Sequence, residues 1–173
     1  MDRDRMTKPF VNLAAVEFTD VEQNGFYSSR RAQFSAAIGA QKLGYNLTEL
    51  PPGSAQCPFH SHRAEEEMFL ILDGEGELRF GSQTYRIKTH DVIACPTGGP
   101  DTAHQIINTG SVTMRYLSLS VLAEVEVCEY PDSSKIGVFA GGATTPRLRK
   151  LVRSESEVDY YDRESISPTS RDA

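Results

Sequence analysis

Short apolar runs broken by turn residues fill the middle of the chain. GYNLTEL, EMFLILD, GELRF, QTYRIK, DVIAC, HQIIN and MRYLSLSVL follow one another. The breaks between and after them are PPG, DGEG, FGSQ, PTGGPD, NTGS and YPDSS. Runs of this length, rich in β-branched and aromatic residues and closed by Gly, Pro, Asn and Asp, predict strands. Several in succession predict an all-β sandwich or barrel. One segment reads otherwise. RRAQFSAAIGAQ, 30–41, is rich in Ala and Gln and predicts a short N-terminal helix or an irregular segment, with Gly39 weakening the helix.

Two runs carry further information. EMFLIL, 67–72, is apolar at both parities, so the strand needs cover on both faces. One face lines the barrel. The other is covered by N-terminal strands, the C-terminal segment or a second copy of the chain, which makes a homodimer the expected state. In MRYLSLSVL, Tyr116, Ser118 and Ser120 alternate with Leu117, Leu119 and Val121. Either the polar set faces the barrel and binds substrate hydroxyls, or the strand is an edge with that face in water. The expected divisions are an N-terminal extension over 1–43, a β-barrel over 44–125 and a C-terminal segment over 126–173 packed on the barrel. The last ~10 residues are polar and predicted disordered.

At 173 residues the chain suits one domain with a core. The net charge of -6 and the scattered Lys and Arg exclude nucleic acid as the main partner, because a phosphate backbone selects clustered cations. No apolar run approaches the roughly 18 residues of a membrane span. MDRDRMTKPF has no apolar stretch of a signal peptide. Cys57, Cys95 and Cys128 lack a CxxC spacing and read as free thiols in a reducing compartment. These features predict a cytoplasmic protein with no membrane partner.

The candidate chemistry sits in HSHRAEEEMFLIL, 60–72. His60 and His62 are one residue apart, so on a strand they share a face and can chelate one ion. A third ligand comes from Glu65, Glu66 or Glu67. Glu67 opens the apolar run and shares a face with Phe69 and Ile71, where a carboxylate is costly unless paired or metal-bound. Glu65 and Glu66 fall in the turn before it, where water can solvate them. His104 opens the alternating run HQII and is a candidate fourth ligand. Such a mixed imidazole and carboxylate set suits Fe, Mn, Co, Ni or Zn. The ion can act as a Lewis acid or hold a substrate oxygen. His90, in KTHDV, reads as an exposed turn residue. Cys57 has the parity of Phe59 and Ser61, away from the histidines, and is left out of the site with Cys95.

At these residues the chain resembles the cupin superfamily. Gly53, His60, His62, Glu67 and Gly74 follow the first cupin motif, and the Glu67 to Gly74 spacing assigns Glu67 the ligand role. The gap from Gly53 to His60 is one residue longer than usual. Pro96, Gly98, His104 and Asn108 follow the second motif. His90 stands where that motif has glycine, and the stretch from Gly98 to His104 is longer by three residues. The resemblance covers about 44–121. It extends to a bacterial group of single-domain cupins, some described as sugar-phosphate-isomerase-like.

The resemblance implies a double-stranded β-helix, or jelly-roll barrel, holding one divalent transition metal (Fe, Mn, Ni or Zn) on His60, His62, Glu67 and His104. Tyr116, Ser118 and Phe69 are the candidate substrate-binding residues. It leaves the reaction open, because cupins host many chemistries. The expected function is metal-dependent isomerisation or oxygenation of a sugar, sugar phosphate or small acid. The alternative is a non-catalytic ligand-binding or sensor cupin.

Overall fold

A computed structural model of the chain describes residues 8–141 and 148–165. These contain thirteen strands: β1 (Thr19–Gln23), β2 (Tyr27–Gln33), β3 (Leu43–Leu50), β4 (Ser61–His62), β5 (Glu67–Asp73), β6 (Glu75–Phe80), β7 (Gln83–Lys88), β8 (Val92–Cys95), β9 (His104–Ile107), β10 (Met114–Val121), β11 (Val125–Tyr130), β12 (Lys135–Ala140) and β13 (Leu148–Arg153). Each run read as a strand from 44 to 122 forms one. The only helical pieces among the described residues are single 3-10 turns. None is long and apolar enough to cross a membrane.

The strands build two layers. The first is a six-stranded antiparallel sheet in the order β1-β2-β3-β10-β5-β8. The second combines β13-β12-β11-β4 with β7-β6-β9. Its two parts meet where His60 and His104 exchange backbone hydrogen bonds, the His60 N–H donating over 3.2 Å and the His104 N–H over 2.7 Å. The core lies between the layers. Leu50, Phe69, Ile71, Ile93, Met114 and Tyr116 come from the first, and Leu78, Ile87 and Ile106 from the second. The architecture is a double-stranded β-helix.

The segment 30–41 is divided between two conformations. Arg30–Gln33 complete β2, paired to β3 with Ala32 opposite Leu47, both almost fully buried. Pairing and burial there outweigh the helical propensity of Ala and Gln. Only Ala36–Ile38 forms a turn of 3-10 helix, ended by Gly39 at φ 88°. At the other end of the chain, β11, β12 and β13 belong to the second layer. The stretch read as disordered falls mostly on 166–173, outside the described residues.

β10 is central, flanked by β3 and β5. Its residues Tyr116 and Ser118 are buried, so the polar set faces the interior. Leu117, opposite both Leu47 and Leu70, faces outward. The edge-strand alternative for MRYLSLSVL does not hold.

Candidate metal centre

His60, His62, Glu67 and His104 converge between the layers, with one ligating atom of each within 4.8 Å of all the others. His60 stands at the bridge to β9, His62 ends β4, Glu67 opens β5 and His104 opens β9. One oxygen of Glu67 lies 2.9 Å from His104 Nε2 and 3.3 Å from His62 Nε2. Backbone carbonyls occupy the far side of two rings. His60 Nδ1 is 2.8 Å from the Pro58 carbonyl and His104 Nδ1 is 3.3 Å from that of Thr102. A carbonyl only accepts, so each Nδ1 carries the proton, which turns the Nε2 lone pair of His60 toward the cluster. His62 Nε2 is buried, with Glu67 as its ion-pair neighbour but without hydrogen-bond geometry to any group among the described residues. Three imidazoles and a carboxylate, with their donor atoms within 4.8 Å of one another, fit a borderline divalent ion.

Without an ion the cluster holds its charge as a pair. Burial works against ionising the Glu67 carboxyl, but the hydrogen bond from His104 and the close, charged His62 ring keep it well below the usual carboxylate range. Burial also opposes charge on His62. Contacts with Cys128 and Glu67 outweigh it and push the imidazole up to about 10.

The strand β11 supports this cluster from behind. Cys128 pairs with His62 in register, and its sulfur lies 3.4 Å from His62 Nδ1. The buried carboxylate of Glu126 accepts the backbone N–H groups of Arg63, Ala64 and Glu65 at 2.8, 3.0 and 2.7 Å. That is the loop between His62 and Glu67. No local pattern links Glu126 or Cys128, the latter read only as a free thiol, to the cluster, since the β11–β4 pairing that gives them their place is long-range.

Two expectations need correction. Cys57 lies on the wall of the site, its sulfur 3.8 Å from His60 Nδ1. Gln56, Cys57 and Phe59 are bends, and Pro58 among them breaks the alternation on which the parity of Cys57 was read. Cys95 does stay in the core, opposite Glu67 in register. Glu65 is half-buried, and its carboxylate accepts the Ala123 N–H at 2.9 Å, so it ties the loop to the β10–β11 connection and is not simply solvated.

His90 is exposed in a turn, with φ 77°. The backbone there needs the left-handed conformation that glycine supplies in the motif, and histidine adopts it in glycine's place. In the widened loop after Gly98, Pro100–Thr102 form a 3-10 turn, which carries the Thr102 carbonyl to His104. Asn108 is fully buried and clamps two turns. Its amide donates to the carbonyls of Leu50 and Val112 at 2.7 and 2.8 Å, and its side-chain oxygen accepts the Gly110 N–H at 3.0 Å.

A cavity of about 220 Å³ opens beside the four residues, and Phe69, Tyr116 and Ser118 all line it. The Phe69 ring contacts His104 and Tyr116, with centroids 5.8 and 5.9 Å apart. The Tyr116 hydroxyl donates to Gln56 Oε1 at 2.5 Å. Burial pushes its ionisation well above 10. Burial and the nearby Glu67 charge push the Cys57 thiol up to about 12. The Ser118 hydroxyl is buried without a hydrogen-bond partner among the described residues.

Residues 46–120 match the cupin domain family. The chain carries a cupin domain. Within that stretch lie all four converging residues. The chain is 35% identical over 74 residues to an oxalate-binding protein of Thermotoga maritima, covering 43% of this chain and 58% of that one. The curated relatives it matches are spanned for 57% and 58% of their length. Among solved structures it is similar to a proposed sugar phosphate isomerase of Acidithiobacillus ferrooxidans, with TM-score 0.75 and 22% identity, covering 88% of this chain and 96% of that one. It is also similar to a sugar phosphate isomerase from a cupin superfamily of Silicibacter pomeroyi, with TM-score 0.72 and 20% identity, covering 89% and 98%. At those identities the cupin likeness concerns the fold.

Proposed function

We propose that this cupin holds one divalent transition metal (Fe, Mn, Ni or Zn) on His60, His62, Glu67 and His104. With it the protein acts on a small polar molecule, a sugar, sugar phosphate or small acid, seated against Phe69, Tyr116 and Ser118. The observation that carries this reading is the convergence of four donor atoms within 4.8 Å on the wall of a cavity. The ion, when bound, supplies a Lewis-acid centre for substrate oxygens. The protein's own groups orient and enclose. Pro58 and Thr102 fix two imidazoles, Phe69 excludes water, and the Ser118 hydroxyl is free to bond a substrate oxygen.

Isomerisation requires a side chain that takes up a proton near the metal. Beyond the four ligand candidates, the ionisable wall groups are Arg31, Cys57 and Tyr116. The thiol and the phenol both stay protonated at neutral pH for the reasons given above. The wall therefore favours oxygenation, which asks no base of the side chains, over isomerisation by a side-chain base. The same lack of a base, with the oxalate-binding name of the Thermotoga maritima relative, supports a second reading as a non-catalytic ligand-binding cupin. The apolar outer face of the six-stranded sheet supports a homodimer in either case.

Elemental analysis of protein purified without added metal tests the centre. About one metal ion per chain is expected, lost in His60→Ala and Glu67→Ala. Variants that retain the parent's metal content overturn the ligand assignment. Oxygen uptake with a panel of small acids and diketones separates oxygenation from aldose–ketose phosphate interconversion. Saturable binding with silence in both assays selects the binding reading.

A further inference from the structure

Apart from the four ligand candidates, the cavity beside the cluster has one cationic side chain on its described wall, Arg31. It lies on β2, in the N-terminal hairpin and outside the stretch matched to the cupin domain. Arg31 is opposite Thr48 in the β2–β3 register, and Thr48 is opposite Tyr116 in the β3–β10 register. Thr48 and Tyr116 are both buried, so this row of the sheet points Arg31 inward. Its neighbour Arg30 points the other way and is paired with Asp20 and Glu49 at 3.1 and 2.8 Å.

Among the described residues, Arg31 has no carboxylate within ion-pair distance, unlike Arg30, Arg63, Arg79 and Arg115. The one carboxylate on the wall, Glu67, is engaged by His62 and His104. A half-buried guanidinium facing a cavity without a counter-ion is costly, and an oxyanion fits its fork of donors. Its positive field also reaches the deep end of the cavity, where it acts on Cys57 and Tyr116.

Arg31, Gln56 and Cys57 also line a second, outer cavity of about 410 Å³. Arg31 therefore stands where the two spaces meet, with the ligand cluster on the inner side. The inner volume of about 220 Å³ is below the roughly 300–1,000 Å³ of pockets for drug-sized ligands, which restricts the deep end to a small group.

We infer that Arg31 is a specificity-determining anion-binding residue. The ligand is a small organic acid or phosphate ester, with hydroxyl, carbonyl or carboxylate oxygens at the metal-ligand cluster and an oxyanion on the Arg31 guanidinium. The metal end of this arrangement rests on the function proposed above; the anion end rests on Arg31 alone. Neutral sugars lack the group that Arg31 calls for, and cationic ligands are repelled by it.

Calorimetric titration of the purified chain with oxalate, inorganic phosphate and neutral erythritol tests this, with metal content measured on every sample. Wild type is expected to bind at least one of the two anions and to prefer it to erythritol. Arg31→Gln should weaken that binding about 10–100-fold, the effect of losing a charge-assisted contact, with metal content unchanged. Arg31→Lys should restore part of it. Tighter oxalate binding assigns a carboxylate, and tighter phosphate binding a phosphate ester. The inference is overturned if wild type binds neither anion, or if Arg31→Gln binds the preferred anion as wild type does. Wild type without metal overturns the metal centre instead, and the same titrations then judge Arg31 on the metal-free protein.

Discussion

His62 and Cys128 face each other across the β4–β11 pair, with Cys128 sulfur 3.4 Å from His62 Nδ1. On its other side the His62 ring meets Glu67 at 3.3 Å. Between these partners the imidazole is held up to about 10 against the opposing effect of burial, so it is protonated in the metal-free protein at neutral pH. A metal ion needs the neutral ring and must displace that proton. Binding of Mn²⁺ at pH 7 is expected to release a proton from His62. Affinity should keep rising by about tenfold per pH unit up to about pH 10, where a histidine at its ordinary value would level off near pH 7. Calorimetry in buffers of different ionisation enthalpy measures the proton. A plateau near pH 7 counts against the raised value.

The same groups set the acid and alkaline limits of the metal-free fold. His62 is raised above its ordinary 6.5, so its contribution is complete below that pH and is lost as pH rises through about 10. Glu67 is depressed below its ordinary 4.5, so its contribution is present above that pH and is lost as pH falls toward the lowered value. Thermal unfolding of metal-free protein should show greatest stability near pH 5–6, and Glu67→Gln should flatten the acid side. An acid limb unchanged in that variant would place the acid sensitivity elsewhere.

Glu126 holds the loop that sets the spacing of His62 and Glu67. Its two oxygens receive three backbone N–H groups, and Glu126→Ala leaves those donors without an acceptor. The expected loss is about 3 kcal/mol of stability. Glu126→Gln keeps one acceptor oxygen and should cost less. Because the loop positions two ligands, the folded Gln variant should bind metal about 10–100-fold more weakly, as for other groups that orient a ligand. Metal affinity equal to wild type in that variant would show that the loop holds its shape without the carboxylate.

At position 90 the backbone has φ 77°, where a Cβ is strained and glycine is not. The His90 N–H donates to the Ile71 carbonyl at 2.8 Å, a bond that any residue can make. His90→Gly should therefore be more stable than His90→Ala by about 1 kcal/mol, read from urea unfolding. Equal stability of the two variants would mean that the turn relaxes out of the left-handed region.

Much of this was legible because it is local. Alternating apolar residues and Gly, Pro and Asn turns marked the strands from 44 to 122. A carboxylate opening the run EMFLIL could be tolerated only with partners, which singled out Glu67. Arg31 was hidden because RRAQ has no hydropathic alternation; what alternates there is which arginine faces inward, and that depends on pairing with β3. Cys57 was misplaced because Pro58 and the bends around it break a parity that holds only on a strand. Glu126 and Cys128 lie more than 60 residues from the loop and the histidine they support, and no local pattern connects them. His90 was visible as a departure from the motif, but its consequence depends on a backbone angle.

The outer face of the six-stranded sheet bears on the expected homodimer. Leu117 stands beside Leu70, and Leu119 between Met68 and Tyr45, all of them half-buried, while Leu47 on the same face is already covered within the chain. At the margins of this face Val92, Val121 and Leu43 are 67%, 40% and 39% exposed. A contiguous apolar strip of this kind is unusual on a monomer, and a second copy of the same sheet would cover it around a two-fold axis, each strip meeting its equivalent. Light scattering at micromolar concentration should therefore give twice the chain mass. Leu117→Glu places a charge at the centre of the strip and should give a monomer that still binds metal, since Leu117 points away from the cavity. A wild-type chain that scatters as a monomer would refute the pairing. A Leu117→Glu variant that stays dimeric would move the contact to another face.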